Sequence, residues 1–188
     1  MVGLIVILII AVLVLWIILT YNRLVSTKNQ VQNAWKQIDV QLKRRHDLIP
    51  NLVSTVKGAM EFEQDTLEKV INARAKAVSA VGVTERATAE NMLTQALGKL
   101  FAVMENYPQL KSNENIMQLQ EEITSTENRI GFARQLYNDL VANYRILQEV
   151  FPNNLLITFF SGFKKEPYFE IEEGARVIPQ VELGLRTK

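Results

Sequence analysis

The chain opens with a stretch that has no polar face and continues with stretches that each carry a single apolar stripe. From Val2 to Leu19, fifteen of eighteen positions are Ile, Leu or Val and none is charged. An eighteen-residue helix covers about 27 Å, close to the hydrocarbon thickness of a bilayer. Fifteen such side chains favour insertion by roughly 5 to 9 kcal/mol on a biological insertion scale. Trp16 and Tyr21 stand where interfacial aromatics belong. A cleaved signal would need a basic leading region and a small-x-small site, and Thr20-Tyr21-Asn22-Arg23 offers neither. A buried core helix would need an apolar surround that the rest of the chain does not supply. The expectation is an uncleaved anchor over residues 1–22, in contact with lipid through residues 2–19.

Beyond Lys28 the pattern becomes periodic. Val31, Trp35, Ile38, Leu42, Arg45, Ile49, Leu52, Val56 and Ala59 alternate by four and three, the heptad seam of helices packed at small crossing angles. No Gly or Pro occurs between Leu4 and Ile49, so the anchor is expected to continue into this seam as one helix. Pro50 predicts a kink, because proline removes one backbone bond and clashes one turn back. The pattern runs on to about Ala80, where Val81-Gly82-Val83 breaks it. A second helix follows from a cap at Thr84, with Leu93, Leu97, Leu100, Met104 and Tyr107 on its seam, and Pro108 ends it. A third starts near Ser112 and carries Ile116, Leu119, Ile123, Thr126, Ile130, Ala133, Tyr137, Leu140, Tyr144, Leu147 and Phe151.

These seams predict an all-α fold, an antiparallel bundle over residues 23–163 with an irregular tail over 164–188. It has three long helices, or four if the first reverses at Pro50. With only a modest kink there, the first helix beyond Arg23 would rise about 87 Å, and the returning helices would leave Phe159 and Phe160 far from the membrane.

Composition narrows the function. The formal charge is +1, from 21 basic and 20 acidic residues, without the basic field of a nucleic-acid binder. One histidine and no cysteine argue against a structural zinc, and no nucleophile, metal or cofactor set emerges. Arg23, Lys28, Lys36, Lys43, Arg44 and Arg45 follow the span against a single carboxylate, Asp39. That excess selects the cytoplasmic side, so the amino terminus is expected outside and the bundle in the cytoplasm.

Several blocks resemble the LemA family. They are Ala34-Trp35, Ile38 to Arg45, Asp47-Leu48-Ile49-Pro50-Asn51-Leu52-Val53, Glu105-Asn106-Tyr107-Pro108-Gln109-Leu110-Lys111, Thr126-Glu127-Asn128-Arg129-Ile130, Tyr137-Asn138, and Gly162-Phe163 to Tyr168-Phe169-Glu170. The resemblance covers nearly the whole chain. It implies a single-pass bacterial inner-membrane protein with a cytoplasmic helical bundle, and no enzyme chemistry. It also implies two settings: a neighbouring membrane metalloprotease of the HtpX type, and the formation of bacterial organelle membranes. The functional expectation is a self-associating, homo-oligomeric scaffold at the membrane face, with a protease adaptor or regulator as the alternative.

Among single residues, Arg45 stands out because it falls on the seam where an apolar side chain is expected. A buried charge of this kind is usually paired. Glu63 and Glu127 are candidate partners, for a pair that fixes register or for a functional groove. Glu127, Asn128 and Arg129 could extend the pair into a polar network. The run Lys43-Arg44-Arg45-His46 lies about 36 Å beyond Leu19 along a straight helix, too far to sense the bilayer through salt. It is expected to be a solvated or ion-paired face, with a partner surface as the alternative. Phe159, Phe160 and Phe163, with Tyr168 and Phe169, are the candidates for contact outside the bundle. The competing reading makes them a satellite core.

Overall fold

A computed structural model describes residues 1–160 and 162–170, and within them the chain is all-α, with no strand. Helix α1 spans Val2–Val56, and a single 3-10 turn at Glu61–Glu63 leads into α2, Gln64–Ser79. Helix α3 spans Val83–Met104, α4 is the short turn Pro108–Lys111, α5 spans Glu114–Glu149, and α6 is Asn153–Phe159. The expected cap at Ser112 falls one residue later: the Asn113 side chain accepts from the backbone N–H groups of Asn115 and Ile116. Gly82 takes φ +82° between α2 and α3, a conformation that glycine adopts without penalty.

Cross-helix contacts fix the directions. Arg44 faces Glu122, Trp35 packs on Tyr137 and Tyr21 packs on Phe160, so α5 runs back along α1. Asp39 pairs with Arg86 and Arg45 with Glu90, so α3 runs alongside α1 in the same sense. The order is up, down, up, down, an antiparallel four-helix arrangement in which α2 and α3 cover only the far half of α1 and α5.

The first helix is therefore split, but not at Pro50. α1 passes through Pro50 as helix and reverses between Lys57 and Glu63. Proline leaves the carbonyl four residues back, that of His46, without its helical donor. Arg74 on α2 replaces it, its Nε donating to the His46 oxygen at 2.7 Å. Past this point α1 and α2 enclose an open groove of about 1270 Å³, lined in part by Ile49, Pro50, Val53, Met60, Phe62 and Ile71.

The reversal corrects the expected position of the C-terminal phenylalanines. With four shorter helices, α5 returns to the membrane end of α1, and Phe160 lies against Tyr21 with ring centroids 5.2 Å apart. The part of the expected tail beyond Glu170, including Gly174, Pro179 and Gly184, lies outside the described residues.

Candidate functional site

Among the described residues the bundle has two apolar cores, and a cluster of buried charge separates them. Arg45 is 1% exposed, between Leu42 of the membrane-proximal core and Ile49 of the distal one. Its guanidinium donates to Glu90 on α3, to Glu127 on α5, and to the Thr94 hydroxyl at 2.9 Å. Glu90 is 3% exposed and also meets His46 Nε2 at 2.8 Å. Thr94 in turn donates to Glu127 at 3.3 Å. Burial alone would push the Glu90 carboxyl up. The His46 hydrogen bond and the Arg45 charge outweigh it and hold the group below its ordinary range. Three helices thus converge on one guanidinium at a single level of the bundle.

Of the residues singled out in sequence, Arg45 and Glu127 come together here. Glu63 lies at the far end, where it accepts from the Tyr107 hydroxyl at 3.3 Å. Asn128 and Arg129 face solvent, because they fall on the outer side of α5, one and two positions past Glu127. Glu90, the most buried carboxylate of the cluster, escaped the sequence reading although it sits three residues before Leu93, one step back along the same seam. Among the described residues no three His, Cys, Asp or Glu side chains are placed to hold a metal.

The aromatic candidates divide into two groups. Phe163 and Phe169 are buried in the proximal core, as part of an extended strap over residues 163–170. An extended segment with no ladder must find other partners for its carbonyls, and α5 supplies them. Tyr137 donates its hydroxyl to the Pro167 oxygen at 2.9 Å, and Arg145 donates through two nitrogens to the Glu166 oxygen at 3.0 and 2.6 Å. Asn138 both donates to the Phe169 carbonyl at 3.1 Å and accepts its N–H at 2.9 Å. Gln148 reaches the Phe163 oxygen at 3.2 Å. Tyr168 is half-buried under the Arg145 guanidinium, 4.3 Å from its ring centroid. Burial, reinforced by the nearby Glu166 charge, pushes the Tyr137 phenol up to about 12.

Phe159 and Phe160 behave otherwise. Phe159 is 83% exposed and Phe160 39%. They sit on or at the end of α6, beside the last turns of the apolar segment.

An all-α bundle built on a helix long and apolar enough to cross a bilayer defines a membrane-associated helical protein. The LemA family's sequence model matches residues 34–183, and the chain belongs to the LemA family. It is 25% identical over 180 residues to magnetosome protein MamQ 2 of Paramagnetospirillum magneticum, covering 82% of this chain and 66% of that protein. To protein LemA of Metamycoplasma hominis it is 27% identical over 143 residues, covering 75% and 61%. To magnetosome protein MamQ of Magnetospirillum gryphiswaldense it is 23% identical over 179 residues, covering 81% and 65%. The chain thus spans a little under two thirds of the length of these relatives.

Proposed function

We propose that this chain is a membrane-anchored scaffold that self-associates and organises or shapes the cytoplasmic face of the bacterial inner membrane. The observation that carries this reading is the continuity of α1. One helix leaves the apolar segment and becomes the central strut of the bundle without a loop between them. A bundle fixed in this way presents its outer faces at set heights above the bilayer, as a scaffold requires. Phe62 and Phe132 are large apolar side chains left exposed on those faces, which suits contact between copies. The Arg45 cluster has the character of an internal brace, joining three helices with its polar groups turned on one another. Relatives named as magnetosome proteins fit a role at a membrane.

The orientation proposed is amino terminus outside and bundle in the cytoplasm, on the basic excess that follows the span. A reporter fused after Lys188 should behave as cytoplasmic, and a periplasmic signal would reverse the assignment. Light scattering and electron microscopy of the detergent-solubilised chain should show a discrete homo-oligomer. A strictly monomeric particle would remove the scaffold reading. Cross-linking before capture should return mainly further copies of this chain. Stoichiometric recovery of a membrane metalloprotease of the HtpX type would move the function to adaptor or regulator.

A further inference from the structure

Residues 146–163 hold one charged side chain, Glu149, and it is neutralised by Lys165 at 2.5 Å. Around it the surface is apolar. Ile146, Val150, Phe151, Leu155, Phe159 and Phe160 are all exposed large hydrophobics. Leu155 and Phe159 stand four residues apart on α6 and so share a face, with Phe151 exposed in the turn that precedes the helix, while the exposed Asn154 and Thr158 follow the same spacing one position earlier. An exposed patch of this kind marks a surface that something covers.

Its height identifies the cover. Asn153, at the start of α6, and Leu147, on the last turn of α5, line a small cavity with Trp16, Leu19, Thr20, Arg23 and Leu24. Phe160, at the other end of α6, packs on Tyr21, as does Phe163 at 5.5 Å. The helix is therefore held beside the end of the apolar segment. Thr20 is buried and Trp16 and Ile17 are half-buried, whereas the earlier part of the segment is exposed. Leu19 is its last apolar residue and Arg23 the first charge after it. On a straight helix these lie about 6 Å apart along the axis, within the depth to which interfacial helices enter a bilayer. Arg23 and Lys164, the latter one residue past Phe163, are both exposed.

We propose that the shoulder formed by the end of α5 and by α6 enters the headgroup and acyl boundary of the same leaflet from which α1 emerges, with Phe151, Leu155 and Phe159 in contact with lipid. The occupant of the patch is the bilayer, because the patch continues the lipid-facing surface of α1. This rests on the reading of residues 2–19 as a membrane span. The protein would then hold its membrane by one spanning helix and one interfacial wedge, which sets the rotation of the bundle about α1 as well as its height.

The absence of cysteine makes the test direct. Single cysteines replacing Leu155, Phe159, Leu13, Phe62 or Phe132 in the full chain are labelled with an environment-sensitive fluorophore. The protein is reconstituted in phosphatidylcholine and phosphatidylglycerol vesicles, with or without lipids carrying a nitroxide at a shallow or deep acyl position. Shallow nitroxide should quench the labels at 155 and 159 at least twofold, at a protein-to-lipid ratio low enough to separate the copies. Labels at 62 and 132 should change by less than a fifth, and deep nitroxide should quench the label at 13. Quenching at 13 with none at 155 and 159 overturns the wedge and leaves the span standing. No quenching at 13 overturns the span, and the wedge with it. Labels at 155 and 159 that are shielded at high protein density and exposed to water on dilution assign the patch to a second copy, which also overturns the proposal. Circular dichroism of each labelled protein should match the unaltered chain, as expected for positions outside the packed cores.

Discussion

Beyond Arg45, α1 and α5 are covered by α2 and α3; towards the membrane only the first turns of α3 reach them, at Arg86 and Ala87, and an eight-residue strap and α6 take over. The distal core is aliphatic, with Leu52, Val56, Val70, Leu93, Leu97, Leu100, Ile116 and Ile123 at its centre. The proximal core keeps Leu24, Val31, Ile38 and Val141 but fills the remaining space with Tyr137, Tyr144, Phe163 and Phe169. Helices satisfy their own backbones, so the distal half needs only apolar seams. The strap does not, and α5 there carries Tyr137, Asn138, Arg145 and Gln148 to satisfy it. The same helix thus has two compositions because it has two kinds of neighbour.

The sharpest way to break this contrast is to remove the charge that divides the halves. Arg45→Ala leaves Glu90 buried without its cation and should destabilise the protein by about 3–5 kcal/mol in denaturant titration. Arg45→Met combined with Glu90→Leu should recover most of that loss, since both ends of the buried pair are then apolar. The cluster also makes the junction acid-sensitive. Glu90 titrates below its ordinary 4.5 in the folded state. Its contribution is therefore full above about pH 4.5 and lost as pH falls through the folded value. Glu90→Gln should flatten the decline in unfolding midpoint below pH 4.5.

The proximal half should fail at the opposite end of the scale. Tyr137 is raised from 10.0 to about 12, so its contribution is full below pH 10.0 and lost as pH rises through about 12. Two units correspond to about 2–3 kcal/mol. Tyr137→Phe should remove that alkaline loss. Amide exchange above pH 10 should show the strap side of α5 opening before the distal core in the unaltered chain and not in the variant.

A smaller effect tests how α2 is tied to α1. Arg74→Ala removes the donor that replaces the missing N–H of Pro50 and should cost about 1.5–2 kcal/mol. In a Pro50→Ala background the helix supplies its own donor to His46, and the same change should cost less than half as much. Equal costs in both backgrounds would show that Arg74 acts through other contacts. Smallest of all, Arg44→Ala should change stability by no more than about 0.5 kcal/mol. Arg44 is half-exposed and reaches Glu122 only at 3.7 Å, so its adjacency to Arg45 in sequence carries no weight.

What could be read from the sequence follows the same division. Where helix packs on helix, the three-four spacing identifies the buried face, and Ile38, Leu42, Ile49, Leu52, Leu97, Ile123 and Ile130 all lie inside. Arg45 could be recognised because it interrupts that spacing. Periodicity is silent where the structure is not periodic. The turn at residues 57–60 rests on a lone Gly58 and lacks the usual clustering of turn residues, so the sequence points instead to a kink at the more conspicuous Pro50, with a reversal there only as the alternative. The strap has no repeat at all. Its partners, Asn138 and Arg145, are surface residues by any helical count until an extended chain is laid across them. The position of Phe159 and Phe160 depended on the reversal, and moved with it.

The unbroken α1 has a mechanical consequence. From Leu19 to Val56 it extends about 55 Å beyond the apolar segment. If residues 2–19 span the bilayer as proposed, a tilt of about 10°, well inside the range that spanning helices adopt, carries the far end of α1 sideways by roughly 10 Å. A loop at the membrane surface would absorb such a tilt. A continuous helix amplifies it, so a small change in bilayer thickness arrives at the reversal around Gly58 as a displacement about as wide as a helix.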